Sequence, residues 1–257
     1  MRFASIGSGS EGNGLVVEAG RTRVLVDCGF GVRDTVARLA RIGVEPASLS
    51  AILVTHEHND HVGGVASFAG RYGIPVWSTF GTLTMMGDRF EGVAQVYGFD
   101  SHDDFAIGDL TVHPFPVPHD AREPVQFVLS DGVYRVGMLT DIGGSTPFVQ
   151  SCLSGCDALV LECNHDLDLL AESGYPWSLK QRISGRFGHL HNEAAAALLA
   201  ALDTSKLQHV VAAHLSQQNN TPAKARAALA GALGCAADWI GIADQAQGFD
   251  WRALAPS

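Results

Sequence analysis

Three histidines and an aspartate fall within six positions in His56-Glu57-His58-Asn59-Asp60-His61, directly after the apolar run Ala51-Ile52-Leu53-Val54. Imidazole nitrogens and a carboxylate oxygen at that density suit zinc, manganese or iron, and histidines that merely fill a core do not cluster this way. A buried strand running into a loop lets His56 and His58 point to one side. It leaves Asp60 and His61 at the start of a helix near Val62, turned toward the same cavity. One local run cannot complete the coordination of two adjacent ions, so more ligands must come from elsewhere. His119, Asp141 and His214 are the candidates, because each follows or ends an apolar run, over Leu110 to Val117, Tyr134 to Leu139 and Val210 to Ala213. Two divalent ions about 3.5–4 Å apart would share a water, lower its pKa toward neutrality and present it as a hydroxide to an electrophile. No Gly-x-Ser-x-Gly elbow or Cys-His pair supplies a rival nucleophile, so metal-dependent hydrolysis is the expected chemistry, with Asp60 both ligating and orienting the hydroxide.

The elements that must position these residues follow from apolar patterning. Val24-Leu25-Val26 before Asp27, and Ala51 to Val54 before Thr55, read as buried strands that deliver polar residues at their C-terminal ends. Between them, Val36, Leu39, Ala40 and Ile42 keep helical spacing within Asp34 to Gly43. Further strands are expected at Arg2 to Ile6, Ile74 to Trp77, Gln126 to Leu129 and Ala158 to Leu161, and Ser130-Asp131-Gly132 marks a hairpin. The Ala-rich stretches Asn192 to Leu202 and Pro222 to Leu233 read as helices, the second capped by Thr221 with Pro222 at its first position. Hairpin strands together with crossover helices favour two mixed sheets between helices over one doubly wound sheet, all in a single domain over residues 1–257.

The bulk numbers exclude some classes. An apolar content of 46% with 17% charged residues fits a protein with a large core and rules out a disordered chain. No stretch approaches the ~20 uninterrupted apolar residues of a membrane helix, and the N-terminus enters a strand-like run without a signal-peptide core. The five cysteines are odd in number and scattered, as reduced thiols are, so a cytoplasmic location is expected. Cys152 and Cys156 lack the second Cys/His pair of a structural zinc site. A net charge of −10 argues against a protein that coats nucleic acid, while leaving room for a small basic groove.

Asp27, the His56-x-His58-x-Asp60-His61 run, His119, Asp141 and His214 resemble the successive metal motifs of the metallo-β-lactamase fold. That resemblance implies a four-layer αββα sandwich with the site at the sheet edge. It implies His56, His58 and His119 on one ion, Asp60, His61 and His214 on the other, and Asp141 bridging. Asp27 then orients a ligand and does not ligate. Four further words, Ser5 to Asn13, Leu161 to Asp166, Arg186 to Asn192 and His214 to Asn220, resemble the YycJ group (also called WalJ or VicX). The group implies 5′-to-3′ exonuclease action on DNA, with partners in mismatch repair or a two-component system. This chain has Gly188-His189-Leu190-His191-Asn192 where the group has Gly-His-Leu-Ser-Asn, so a phosphate contact from that serine is lost or passes to His191.

Around the motif, Gly7, Gly9, Gly12 and Gly14 form either a tight hairpin or a loop whose amides, with Ser8, Ser10 and Asn13, face phosphate. Lys180, Arg182, Arg186 and His189 make the densest basic segment, either a solvated helix face or a phosphate groove. Ser216 and Asn219 are further candidate substrate contacts, and His189, uncommitted to metal, is the candidate for protonating the leaving oxygen. The first reading is therefore a two-metal phosphodiesterase acting on DNA. A thioesterase or lactonase of the same fold is the second, and a non-catalytic accessory of a two-component system the third.

Overall fold

Val24-Leu25-Val26 and Val210-Val211-Ala212-Ala213 are apolar at every position, a pattern that suits strands covered on both faces. In the computed structural model, which describes residues 1–256, both runs are buried in this way. The strands are β1 (Arg2–Gly7), β2 (Gly14–Ala19), β3 (Thr22–Val26), β4 (Ala51–Leu53), β5 (Val76–Thr79), β6 (Val96–Phe99), β7 (Phe105–Ile107), β8 (Leu110–Pro116), β9 (Val125–Ser130), β10 (Arg135–Leu139), β11 (Ala158–Glu162), β12 (His209–Ala213), β13 (Gly241–Ile242) and β14 (Phe249–Ala253). They form two seven-stranded sheets, ordered β14-β1-β2-β3-β4-β5-β6 and β13-β12-β11-β10-β9-β8-β7. The helices are α1 (Val32–Arg41), α2 (Asn59–Val62), α3 (Val65–Tyr72), α4 (Phe80–Met86), α5 (Pro147–Leu153), α6 (Leu167–Glu172), α7 (Trp177–Ile183), α8 (Asn192–Ala201) and α9 (Pro222–Leu233).

Strand periodicity builds the layers. Val24 and Val26 of β3 and Val211 and Ala213 of β12 enter one core between the sheets, with Phe3 and Phe127 fully buried among them. Leu25 faces outward to a second core under α1 and α3. Val210 and Ala212 face outward to a third that includes residues of α5, α8 and α9. The result is the αββα sandwich that the metal motifs imply. Truncating Phe127 to Ala would cost about 3–5 kcal/mol, as deletion of a buried aromatic does.

Two boundaries differ from the apolar words. β5 begins at Val76, because Pro75 has no N–H to donate and the Ile74 N–H goes to the Ala69 carbonyl. The helix expected near Val62 is two, α2 and α3, separated at Gly63 and Gly64. A Cβ on Gly64 would lie 1.8 Å from the Phe30 carbonyl oxygen, so only glycine fits there.

The pairing also fixes where the chemistry sits. β3 and β4 are parallel, as are β10, β11 and β12. Strands running the same way end at the same sheet edge, so the polar residues after them converge.

Candidate metal centre

Among the described residues, Asp27, Asp141 and His214 are the only non-glycine residues in the left-handed region, with φ of 60°, 53° and 53°. They follow β3, β10 and β12. Such a backbone costs on the order of 1–2 kcal/mol per residue and persists only where the surroundings hold it. All three are nearly or fully buried, Asp27 after a strand of the first sheet and Asp141 and His214 after strands of the second.

His56, after β4, has its ring centroid 4.6 Å from that of His58, 4.2 Å from His61 and 5.0 Å from His119. His61 and His214 are 5.7 Å apart by the same measure. Three trios each bring ligand atoms within 4.8 Å of one another: His56, His58 and His119; Asp60, His61 and His214; and His56, His61 and Asp141. A fourth group joins Asp141 and His214 to His189 and Glu162.

The rings are anchored from behind. His61 Nδ1 lies 2.8 Å from Asp27 Oδ2, His56 Nδ1 2.9 Å from Thr55 Oγ1, and His119 Nδ1 3.1 Å from the Gly188 carbonyl. Asp27 Oδ1 accepts the Thr55 N–H at 2.9 Å, so the same carboxylate fixes the loop and the His61 ring. Anchoring one ring nitrogen leaves the other facing the cluster, the arrangement of a ligating histidine. His56 Nε2 and Asp141 Oδ2 are buried with no hydrogen-bond partner, although Asp141 Oδ2 is 2.8 Å from His61 Nε2. Buried polar atoms are almost always paired, so unpaired ones inside a His/Asp cluster fit a divalent cation.

Electrostatics agree. Burial drives His56 well below the ordinary imidazole range, and His61, His119 and His58 repel a proton further, against Asp141. His119 is lowered by burial, with Asp141 opposing and His189 adding. His214 goes the other way: burial opposes it, but Asp141, Asp60 and Glu162 raise it to about 10. Asp141 is held well below the usual carboxylate range, since His214 and His61 outweigh its burial. Without a cation, protons on some imidazoles must compensate the carboxylates.

Sequence reasoning passes over Glu162, the last residue of β11. It is fully buried, and its Oε2 accepts the N–H groups of Ile142 and Leu190, each at 3.0 Å. Its Oε1 lies 2.8 Å from His189 Nδ1 and 3.4 Å from His214 Nδ1. His189 is therefore in the cluster; burial opposes its protonation, but Glu162 and, at 3.4 Å, Asp141 raise its pKa. The available signal was its place at the end of an apolar strand, like Asp141 and His214.

A cavity of about 310 Å³ opens over these groups, lined by His58, Asp60, Asp141, His189 and His214, with Arg182 on one wall. Arg182 is held by Asp120 at 2.7 Å. Lys180 instead donates to the Ala171 carbonyl. Ser8 and Asn13 turn inward: the Ser8 hydroxyl donates to Asn13 Oδ1 and accepts the His214 N–H, and Asn13 Nδ2 reaches the Gly9 and Asp60 carbonyls. Ser10 is exposed. Ser216 Oγ accepts the N–H of the buried Asn219, and His191 caps α8 by accepting the Ala194 N–H. None of Ser8, Ser10, Asn13, Lys180, His191, Ser216 and Asn219 lines this cavity.

Residues 22–214 match the β-lactamase superfamily domain. The chain is 35% identical over 228 residues to the exodeoxyribonuclease YycJ of Bacillus anthracis, covering 88% of this chain and 86% of that protein. To the exodeoxyribonuclease WalJ of Streptococcus pneumoniae it is 31% identical over 224 residues, 86% and 83% of the two chains. Its fold superposes on the metallo-β-lactamase fold protein YhfI from Bacillus subtilis with a TM-score of 0.76 at 16% identity, covering 98% and 99% of the chains.

Proposed function

Because this chain belongs to the β-lactamase superfamily, in the group of the exodeoxyribonucleases YycJ and WalJ, we propose that it is a phosphodiesterase that degrades DNA from the 5′ end. The observation that carries the reading is a cluster of imidazoles and carboxylates, anchored from behind and with His56 Nε2 and Asp141 Oδ2 unpaired inside it, beside an arginine that suits phosphate. A thioesterase or lactonase needs the cluster but not that arginine.

His56, His58 and His119 would hold one divalent ion, Asp60, His61 and His214 a second, with Asp141 shared; zinc, manganese and iron all suit these donors. Such ions, when bound, acidify a water near neutral pH and offset charge on phosphate oxygens. Asp60 orients the attacking water. Arg182 exchanges Asp120 for a non-bridging phosphate oxygen and fixes the diester over the cluster. Glu162 holds His189 Nδ1, so Nε2 is the atom that delivers a proton. As the new P–O bond to water oxygen forms, the bond to the departing sugar oxygen breaks, and that oxygen takes the His189 proton.

The test is degradation of 5′-labelled against 3′-labelled duplex DNA by metal-reconstituted protein. Early release of the 5′ label is the expected result. Efficient turnover of thioesters or lactones with no nuclease activity would replace the reading with the small-molecule one. Inertness toward all of them would favour a non-catalytic accessory of a two-component system.

A further inference from the structure

A second cavity, also about 310 Å³, lies beside the first, and the two share one lining residue, His189. Its walls are the Gly143-Gly144-Ser145 turn, Gln150 of α5, Ser184 and the start of α8. Its lining differs in chemistry from that of the first. Leu190, Ala194, Ala197 and Leu198 give a small apolar surface, and Ser145, Gln150, Ser184 and His191 give hydrogen-bonding groups. No carboxylate, lysine or arginine lines it. A small ligand with both apolar and hydrogen-bonding surface is what such a lining suits, and the volume is at the small end for ligand pockets, about 300 Å³ upward. A phosphate would find no lysine or arginine there.

We propose that this cavity is a subsite for one nucleoside, holding the base and sugar that adjoin the scissile phosphate. The inference rests on the phosphodiesterase reading. A diester lying over His58, Asp60 and His214 then passes His189 into the second cavity, which puts the His189 proton at the junction of phosphate and nucleoside. A cavity of about 310 Å³ takes one nucleoside, so the residue it holds is the one at the end of the strand.

Gly144 offers a clean obstruction. A Cβ there would meet nothing within 4 Å, and its backbone is not left-handed, so a larger side chain has room without strain. Gly143 does not qualify, because a Cβ there would lie 2.3 Å from the Arg186 carbonyl carbon. Binding of deoxyadenosine and thymidine is measured by ligand-observed NMR on wild type, Gly144→Ala and Gly144→Leu, alongside exonuclease rates on the metal-loaded enzymes. Wild type and Gly144→Ala bind, and Gly144→Leu weakens binding by about tenfold or more, the effect of crowding a formed pocket. Should Gly144→Leu not fold, Ala194→Leu obstructs the same cavity from α8. Equal binding by wild type and both blocked variants overturns the proposal, as does no binding to any. DNA degradation with blockage-insensitive nucleoside binding leaves the exonuclease and removes the subsite. Blockage-sensitive nucleoside binding with no DNA degradation keeps the subsite and removes the exonuclease.

Discussion

The loop from Thr55 to His61 and the strand ends of the second sheet hold the two halves of one cluster by different means. In the loop, four candidate ligands stand within six residues, and one buried carboxylate, Asp27, ties down the Thr55 N–H and the His61 ring. In the second sheet, His119, Asp141, His189 and His214 arrive from four separate segments. Again one buried carboxylate, Glu162, ties His189, His214 and the backbone at Ile142 and Leu190, while His119 is held by the Gly188 carbonyl. Asp27 therefore braces a locally determined piece, whereas Glu162 braces a piece that exists only when distant strands have paired. The cost of buried negative charge is met at both by donors already fixed in the fold. The second half should be the softer one, because its ordering depends on more of the chain.

The largest effect should come where the halves join. Asp141→Ala should lower DNA hydrolysis by more than on the order of 10⁴, beyond the range for losing one proton-transfer group. It should also lower metal content in protein purified without chelator. Full metal occupancy in the variant would remove Asp141 from between the ions.

Next is His189→Ala, which should cut turnover by on the order of 10²–10⁴ while keeping both ions and the melting temperature. A drop in stability with an unchanged rate per folded molecule would make His189 a packing residue, and a lost ion would make it a ligand. Glu162→Gln should follow its pattern in weaker form. Asp27→Asn should instead weaken metal affinity by about 10–100-fold, as loss of a group behind a ligand does. Equal effects of both changes on metal and turnover would erase the distinction between the halves.

A smaller effect concerns pH. His214 is raised to about 10 in the metal-free protein, against an ordinary value near 6.5. The sign follows from linkage: a raised folded-state pKa contributes stability that is complete below the unfolded value and is lost as pH rises through the folded one. Metal-free protein should therefore lose melting temperature between about pH 6.5 and 10. Metal-loaded protein, whose ligating imidazoles are already neutral, should change less over that window. A flat metal-free profile would mean that the carboxylates of the second half are not compensated by imidazolium.

The unequal halves were unequally legible. His56 to His61 declares itself by density, and His119, Asp141 and His214 by following apolar strands once that density demands partners. Glu162 has the same position on its strand, but its partners Ile142, His189 and Leu190 are 20 to 28 residues away, and no local spacing marks them. The left-handed turns at Asp27, Asp141 and His214 are also unmarked, since Asp and His enter that region more readily than most side chains but only where tertiary contacts hold them there. The glycine-rich word permits either a hairpin or a phosphate loop. Ser8 and Asn13 bond to each other and to the backbone around His214 and Asp60, a choice made by residues that are remote in sequence.

The smallest effect separates the halves without altering them. Cys28 follows Asp27 and Cys163 follows Glu162, so each thiol reports on one brace. Burial pushes the Cys28 thiol up to about 12 and raises Cys163 further, with Glu162 adding to the second. Cys156 is likewise buried and raised to about 11, whereas Cys152 and Cys235 are partly exposed. Because reagent must reach the sulfur and the thiolate is the reactive form, metal-loaded protein at pH 8 should alkylate at Cys235 and, more slowly because burial raises it, at Cys152, well ahead of the three buried thiols. Chelation removes whatever an ion contributes to both halves at once. If the second half depends on more distant pairing, its local opening should be the easier one, and Cys163 should become reactive before Cys28. Mapping of alkylated peptides by mass spectrometry against time resolves the order. Simultaneous labelling would show that the two halves open as one unit, and earlier labelling of Cys28 would reverse the ranking drawn from Asp27 and Glu162.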